Sequence, residues 1–313
     1  MLLYIAKRLI MIIPVFIGVS AIAFTLLQLA PGDPVEIWLG EQGSIDPKLI
    51  ETYRHQLGLD QPIYVQYGQF LWRLLHGDLG VDFRNNRPAL EEALEALPRT
   101  IELAIAGIFV SVGIGLPAGI YASKRQNRLF DHLTMIGSYI GASIPVFWLA
   151  LILIIIFSFN LSLTPVSGFG SPSHLILPAL ALGLNQAAVT ARFTRSSMLE
   201  VIRQDWVIAS RAHGIRERFL TYRFILKSAL IPIITVVGLQ FGFLISNAFF
   251  IEYIFGWPGI GRLALRGIQE RNYAVIQSAV LLISVTYILI NLAVDIIYRY
   301  IDPRVKFESN NQE

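Results

Sequence analysis

The sequence predicts an all-α integral membrane protein with six transmembrane helices. Of its 313 residues, 54% are hydrophobic and only 15% are charged, whereas soluble domains are about one-quarter charged. A membrane-spanning helix needs about 20 mostly apolar residues. Five long intervals contain no Asp, Glu, Lys or Arg: 9–32, 103–123, 132–191, 228–251 and 272–294. The 60-residue interval 132–191 fits two helices, and each of the others fits one.

The two helices of the longest interval are separated by a polar turn, Asn160–His174. A soluble protein with long buried helices fits less well, because repeated uncharged runs of this length are unusual in a core. A cleaved signal peptide also fits poorly, since the first apolar run exceeds the usual length. The six predicted spans are Leu9–Ala30, Ile101–Ala122, Leu133–Phe159, Leu175–Ala191, Ala229–Ile251 and Ala274–Tyr298.

The distribution of basic residues predicts that both termini face the cytoplasm. Short cytoplasmic loops carry an excess of Lys and Arg, and residues 192–227 hold eight of them against three Asp or Glu. The predicted organisation has an N-terminal tail with the first span, an extracytoplasmic helical segment, a five-helix transmembrane core and a cytoplasmic tail. These parts cover residues 1–30, 31–100, 101–300 and 301–313, and the core includes the cytoplasmic loop 192–227.

Catalytic and metal-binding patterns are absent from the sequence. It has no cysteine, and its five histidines form no His-Glu-x-x-His pattern, which excludes a thiolate nucleophile and a zinc-protease site. A P-loop is also missing, so any ATP hydrolysis must come from a partner. No span carries an acidic residue near its middle, as a proton- or sodium-coupled carrier usually does. The chain is therefore predicted to bind no metal or cofactor and not to be an enzyme.

Ordered helices are predicted in the segment between the first two spans. Asp46 and Pro47 suit an N-cap and a first helical position, and Gly58 suits the end of that helix. Asp60 opens a second helix that ends near Gly77. Its apolar residues recur at helical spacing, so it either lies in the membrane interface or packs on the protein. The stretch RPALEEALEAL predicts a third short amphipathic helix.

Small residues and prolines inside the spans predict close and kinked packing. Glycines four residues apart let helices approach closely, and prolines are tolerated where neighbours satisfy the freed backbone groups. The glycine pairs are 115/119, 137/141 and 238/242.

Amide side chains at membrane depth are candidates for lining a pathway. Polar groups are costly there and usually face a cavity or bond a neighbouring helix, and both interpretations stay open for each residue. The candidates are Asn185, Gln186, Gln240, Asn247, Gln277 and Asn291.

The basic interval predicts a short helix on the cytoplasmic face. Asp205 is placed to N-cap a helix from Trp206 to His213, and Gly214 suits a left-handed C-terminal stop. Arginines flank the helix on both sides. Such a helix fits a groove on a partner protein, while the same charges also suit anionic lipid. The residue pattern alone favours neither partner.

The stretch DWVIASRAHGIRERFLTYRFILKSALIPIITVVGLQFG resembles the cytoplasmic loop of binding-protein-dependent ABC permeases. It is similar to the dipeptide/oligopeptide/nickel branch, in the subunit with a long outer segment after the first span. In the general motif, EAA is followed by three residues and Gly. Here Ile208-Ala209-Ser210 replaces EAA and Gly214 is kept, which matches the peptide/nickel branch and disfavours sugar transport. Nearly the whole chain shares the resemblance, through the first span with its PGDP exit, LHGDLGVDF, and FIEYIFGWPGIGRLALRGIQERNYAVIQS.

The resemblance implies a type I importer permease in the cytoplasmic (inner) membrane of a prokaryote. Its partners would be a second homologous permease, two ATPases that bind ATP and magnesium, an extracytoplasmic solute-binding protein and membrane lipid, without nucleic acid. The expected solute is a di- or oligopeptide, and nickel, glutathione or small glycans are alternatives. A solitary proton-coupled carrier and an intramembrane enzyme are the alternatives from other classes.

The resemblance also implies which residues carry the function. The loop that faces the binding protein would include Trp257, Pro258, Gly259 and Arg262. The coupling helix that docks into the ATPase would consist of Asp205, Trp206, Ala209, Ser210, Arg211, Ala212, His213 and Gly214.

Overall fold

The computed structural model describes residues 2–28, 47–56 and 60–301, which are almost entirely helical. Two stretches of the described residues, Ile154–Asn160 and Leu220–Ile225, are wider π-helical turns. In chain order the α-helices are α1 (Leu2–Gln28), α2 (Pro47–Gln56), α3 (Ile63–Leu75), α4 (Ala89–Lys124), α5 (Leu129–Ser143), α6 (Val146–Leu153), α7 (Pro172–Ile202), α8 (Asp205–Ala212), α9 (Glu217–Phe219), α10 (Leu226–Ile254), α11 (Ile260–Gln269) and α12 (Tyr273–Ile301).

The chain divides into two compact units, which are described separately below. The first unit contains residues 1–100 and 258–288, and the second contains residues 101–257 and 289–313.

Four helical stretches of the described residues are long and apolar enough to cross a membrane, and α5 with α6 makes a fifth if that bent pair is one span. The described part of α1 contributes a shorter apolar stretch, Ile13–Thr25. The predicted first span continues to Ala30, outside the described residues. The four stretches are Ala89–Lys124, Pro172–Ile202, Glu217–Ile254 and Tyr273–Ile296.

The predicted third span is not one straight helix. α5 and α6 meet at an angle of 103°, because Pro145 lacks a backbone donor and disfavours helical backbone at Ile144. Ile144 is accordingly extended, with φ −76° and ψ 124°. The Asn185 side chain on α7 compensates: its Nδ2 donates to the Gly141 carbonyl at 3.0 Å and to the Ile144 carbonyl at 3.2 Å. The prediction of a continuous helix over Leu133–Phe159 is therefore wrong at the proline.

The segment before the second span also differs from the prediction. RPALEEALEAL does not form a separate short helix, since residues from Ala89 onward are the first turns of α4. A two-stranded ladder, absent from the all-α prediction, precedes it: β1 (Val81–Asp82) pairs antiparallel with β2 (Arg87–Pro88). Asn86 closes the hairpin with φ +58°, a conformation that Asn tolerates better than most residues. Four residues of ladder carry no alternating pattern that a sequence could reveal.

In the first unit, the helix predicted to start at Asp60 packs on the protein. α3 begins at Ile63 and ends at Leu75, and Gly77 has φ +74°, as its predicted stop requires. The Tyr67 hydroxyl lies 2.9 Å from Ser20 Oγ on α1. Phe70, Phe24, Leu79 and Leu281 form the buried cluster beneath it. The middle of the apolar stripe therefore faces α1, as the packing alternative expects, whereas Ile63 at its start is exposed.

α2 begins at Pro47, the predicted first helical position. The proposed N-cap Asp46 and stop Gly58 lie outside the described residues.

In the second unit, small residues bring α4 and α7 close together. A Cβ added at Gly115 would lie 2.6 Å from the Ala187 carbonyl oxygen, and one at Gly119 would lie 2.5 Å from that of Ala191. The predicted close approach is confirmed for this pair. In the 137/141 pair only Gly141 faces a neighbouring helix: Ala188 Cβ of α7 lies 3.3 Å from a Cβ added at Gly141, whereas no described residue lies within 4 Å of one added at Gly137.

Candidate functional site

The helix α8 in the basic interval ends in a Schellman motif. The Ile215 N–H donates to the Ser210 carbonyl at 3.2 Å, the Gly214 N–H donates to the Arg211 carbonyl at 2.9 Å, and Gly214 has φ +78°. This pair of bonds satisfies carbonyls that a helix end leaves free. The prediction of a left-handed stop at Gly214 is thus confirmed.

The predicted N-cap of α8 is wrong by one residue. Gln204 is the N-cap, with φ −73° and ψ 145°, and Asp205 is the first helical residue. The Gln204 side chain makes no capping hydrogen bond to the helix. Asp205 still places a negative charge in the first turn, where the helix dipole favours it.

One buried side chain anchors α8 to the second unit. Val207 is fully buried in a cluster with Met198 and Val201 of α7 and Leu220 and Ile225 of the π-helical turn. The remaining side chains of α8 are exposed or half-buried. The helix therefore presents most of its surface outward.

Short-range bonds fix the exposed face of α8. Arg211 Nε donates to Glu217 Oε1 at 2.5 Å, which ties α8 to α9. Ser210 Oγ donates to the Trp206 carbonyl at 2.7 Å, and His213 Nδ1 lies 2.8 Å from the Ala209 carbonyl oxygen. Ala209 and Ala212 keep the helix narrow, so a complementary groove could receive it.

A second ion pair braces the same region of the unit. Arg195 of α7 pairs with Asp131 of α5 through both carboxylate oxygens, and the Asn127 N–H donates to Asp131 Oδ2 at 2.9 Å. Asp131 is almost fully buried. The start of α5 is thereby tied to α7 ten residues before α8 begins.

The predicted pathway residues fall into different environments. Gln240 Oε1 accepts from Thr190 Oγ1 at 3.1 Å, and Ser111 Oγ lies 2.8 Å from Thr190 Oγ1. These contacts connect α4, α7 and α10. Gln186 is buried with them, and Asn185 bonds the break between α5 and α6.

The other three predicted pathway residues, Asn247, Gln277 and Asn291, are half-buried. Asn247 donates to the Phe243 carbonyl of its own helix at 2.9 Å. Gln277 belongs to the first unit, whereas the other predicted pathway residues belong to the second.

The loop that follows α10 begins with a buried tryptophan. Gly256 has φ +64°, and the Trp257 N–H donates to the Glu252 carbonyl at 2.8 Å, which is again a Schellman ending. The Trp257 ring is 1% exposed and packs edge-on against Phe169 at 4.9 Å. Trp257 therefore anchors the loop rather than presenting a surface.

The other predicted residues of that loop differ in exposure. Gly259 is buried as the N-cap of α11, Pro258 is half-buried and Arg262 is exposed.

A buried ion cluster in the first unit escaped the sequence prediction. Its members are Asp82, Glu92, Arg266 and Asn272, and we name it the Asp82 cluster. Arg266 Nη2 donates to Asp82 Oδ2 at 2.9 Å and to Glu92 Oε2 at 2.6 Å, and Asn272 Nδ2 donates to Asp82 Oδ1 at 2.6 Å. Both carboxylates are buried. The cluster joins β1 and α4 to the helix α11 that follows nearly two hundred residues later.

Helices that are long and apolar enough to cross a membrane, and that satisfy their own backbone groups, define a multi-pass α-helical membrane protein. Residues 115–307 match the family model described as the binding-protein-dependent transport system inner membrane component, and residues 1–104 match its N-terminal counterpart. The chain belongs to this family, the permease subunits of ABC transporters.

Curated relatives match along nearly the full length. The dipeptide transport system permease protein DppB of Alkalihalophilus pseudofirmus is 42% identical, with 98% of this chain and 100% of the relative covered. The di/tripeptide permease DppB of Pseudomonas aeruginosa is 40% identical, with the same coverage. The glutathione transport system permease protein GsiC of Escherichia coli is also 40% identical over 98% of this chain and 100% of the relative.

A solved structure shares the fold. An inward-facing form of the MetNI methionine ABC transporter aligns with a TM-score of 0.60 over 69% of this chain and 98% of that chain. Its sequence identity is 20%, so the likeness supports the permease fold alone.

Proposed function

We propose that this chain is the transmembrane permease subunit of an ATP-driven importer for di- and oligopeptides, and that it forms half of the translocation pathway. The observation that carries the solute class is the end-to-end similarity to a dipeptide permease at 42% identity. Glutathione is the second candidate, because a permease named for it matches over the same length at 40%.

Six spans with both termini in the cytoplasm complete the proposed topology. α1 supplies the first span, and α5 with α6 supplies the third as a broken span. The excess of Lys and Arg in residues 192–227 supports this orientation. The segment 31–100 and the loop after α10 then lie outside.

α8 with Gly214 is proposed as the coupling helix that a partner ATPase moves. Support comes from its exposure, its single anchor Val207 and its fixed end at Gly214. Closure of two ATPase subunits around ATP and magnesium would pull this helix, and a second permease would carry the equivalent one. A coupling helix needs a complementary shape and charge rather than catalytic groups, and the residues of α8 meet this need.

The external solute-binding protein is proposed to dock on the loop after α10, with Arg262 as an exposed contact and Trp257 as the internal anchor. The Asp82 cluster would hold that loop and the segment before α4 in one arrangement. The pathway is proposed to be lined by the half-buried amides of the second unit, Asn247 and Asn291.

Transport by the assembled complex tests the proposal. The permease pair, its ATPases and its binding protein are reconstituted in liposomes, and uptake of labelled dialanine and labelled glutathione is measured with and without ATP. ATP-dependent dipeptide uptake that requires the binding protein is the expected result. Uptake of glutathione alone would establish the second candidate, and uptake by the isolated chain without ATP would overturn the importer assignment.

A further inference from the structure

The residues after α8 form a basic, aromatic pocket on the second unit. It is an open depression of about 650 Å³, lined by Arg216, Arg218, Phe219, Tyr222 and Arg223. We name these five residues the basic pocket. Phe219 and Tyr222 are about half exposed, so cationic and aromatic surfaces are both available at its rim.

The charge of the basic pocket is not neutralised within the described part of the chain. No carboxylate there lies within ion-pair distance of Arg216, Arg218 or Arg223. The one neighbouring acid, Glu217, is engaged by Arg211 at 2.5 Å. Lys124 at the end of α4 adds a further cation, with its Nζ 5.2 Å from the centre of the Tyr222 ring.

The π-helical turn explains why Tyr222 and Arg223 point outward. Leu220 and Ile225 are both buried in the same core cluster, although they are five residues apart. A π-helical turn bonds residues at that spacing and places them on one side, and the Leu226 N–H donates to the Thr221 carbonyl. The intervening Tyr222 and Arg223 are thereby turned away from the core. Such turns are frequent at functional sites.

The pocket also lies at the level where a membrane presents its headgroups. The helical stretch Glu217–Ile254 has 38 residues, roughly 57 Å at 1.5 Å per residue, whereas the hydrocarbon core is about 30 Å thick. Its uncharged part starts at Ser228, directly after Lys227. The basic pocket therefore lies in the N-terminal turns of this stretch. These turns are outside the hydrocarbon core, next to the point where the helix enters it.

We propose that the basic pocket binds the headgroup of an anionic phospholipid of the inner leaflet. Guanidinium groups pair with phosphate oxygens in a bidentate manner, and the exposed aromatic rings suit the membrane interface. Three arginines that meet no carboxylate among the described residues favour an anionic lipid over a zwitterionic one. The leaflet assignment rests on the orientation in the proposed function. The lipid would steady the base of α10 next to the coupling helix.

Photocrosslinking in nanodiscs tests the lipid site. The full chain is placed in phosphatidylcholine discs that contain a photoreactive phosphatidylglycerol, or a photoreactive phosphatidylcholine as the zwitterionic probe, and adducts are mapped by mass spectrometry. Phosphatidylglycerol adducts are expected within residues 215–224, and inorganic phosphate at millimolar concentration should not displace them. Replacing Arg218→Ala and Arg223→Ala should lower their yield about fivefold for each arginine removed.

A matched variant separates a pocket from general positive charge. Arg128→Ala with Arg203→Ala removes two exposed arginines of the same unit that lie outside the pocket and should leave the adducts unchanged. Arg218→Lys with Arg223→Lys keeps the charge but loses the bidentate geometry, so its yield should lie between those of the alanine variant and the unchanged chain. An equal loss in the Arg128/Arg203 variant, equal labelling by the zwitterionic probe, or displacement by phosphate would overturn the proposal. So would crosslinks from this region to the ATPase alone in the assembled complex. The readout needs neither ATP nor solute, so failed transport would not affect it.

Discussion

Single glycines in this chain serve two opposite purposes. At Gly214 the space is open, since nothing lies within 4 Å of an added Cβ, but the backbone has φ +78°. At Gly119 the backbone is helical, but the space is filled by α7. A side chain at Gly214 is therefore resisted by the backbone conformation alone, and this makes the position a clean test of the helix end.

Gly214→Val should abolish or strongly reduce transport while membrane insertion stays normal. A β-branched residue at positive φ costs roughly 1–2 kcal/mol, so the Schellman ending opens and α8 loses its fixed direction. Gly214→Asn should be milder, because Asn tolerates the left-handed region. The measurement is ATP-dependent uptake by the reconstituted complex, normalised to inserted protein.

The matched control is Gly113→Val on α4, where the space is also open and φ is not positive. It should transport normally. Unchanged uptake by Gly214→Val would remove the main support for α8 as the coupling helix.

At the residue scale, the sequence predicts conformations better than contacts. Gly214 was identifiable because few residues other than glycine adopt its backbone. Asn185 was recognised as polar at membrane depth, but its bond to the break at Pro145 depends on how α7 lies against α5. Trp257 was expected to face a partner, yet its burial against Phe169 depends on a loop from elsewhere in the chain.

The boundaries of helices and strands show the same difference between local features, which the sequence predicts, and contacts, which it does not. The uncharged runs predict the long helices because the membrane dictates their length. The 103° bend and the two π-helical turns were missed, since they arise from a proline and from packing between helices. The short strands β1 and β2 are too brief to leave a periodic pattern.

The close contact between α4 and α7 predicts that one methyl group added at Gly119 destabilises the protein. Gly119→Ala places a Cβ 2.5 Å from both the Ala191 carbonyl oxygen and Thr194 Cβ, so the helices must separate. Overpacking of this kind costs roughly 1–3 kcal/mol. The expected result is a lower thermal denaturation midpoint of the purified protein in nanodiscs.

Gly137→Ala on α5 is the comparison, because it adds the same methyl group in open space. It should leave the midpoint unchanged or raise it slightly, as alanine favours helix over glycine by about 1 kcal/mol. Equal destabilisation by both substitutions would show that helix contact is not the cause.

At the scale of the whole molecule, distant parts of the sequence meet in the Asp82 cluster. Asp82 and Arg266 are 184 residues apart. The residues around each of them carry no pattern that predicts the pair. A single sequence shows charges but not which of them become neighbours. The permease family and the helical architecture could be inferred from the residues, whereas this junction required the structure.

Arg266→Met should destabilise the first unit by about 2 kcal/mol or more. The substitution keeps most of the side-chain volume but leaves Asp82 and Glu92 without their cation, and Asp82 is fully buried. Removing one partner of a buried ion pair is strongly destabilising for this reason. Thermal denaturation in nanodiscs measures the loss.

Arg87→Met provides the control, because the Arg87–Glu95 pair is exposed, with a distance of 2.7 Å. Exposed pairs contribute at most about 1 kcal/mol, so its midpoint should change little. Similar shifts of the thermal denaturation midpoint for both variants would mean that burial of the carboxylates does not increase the cost of removing their cation. Adding Asp82→Asn to Arg266→Met should recover part of the loss, since the stranded charge is removed.

The two hydrogen bonds that Asn185 donates at the bend between α5 and α6 have a consequence for solute recognition. A side-chain amide has two donor hydrogens, and in this conformation both are engaged by the carbonyls of Gly141 and Ile144. The carboxylate of a passing peptide would therefore find no free proton donor at this position. Changes at Asn185 should alter the angle between α5 and α6, and leave preference among peptides to other residues.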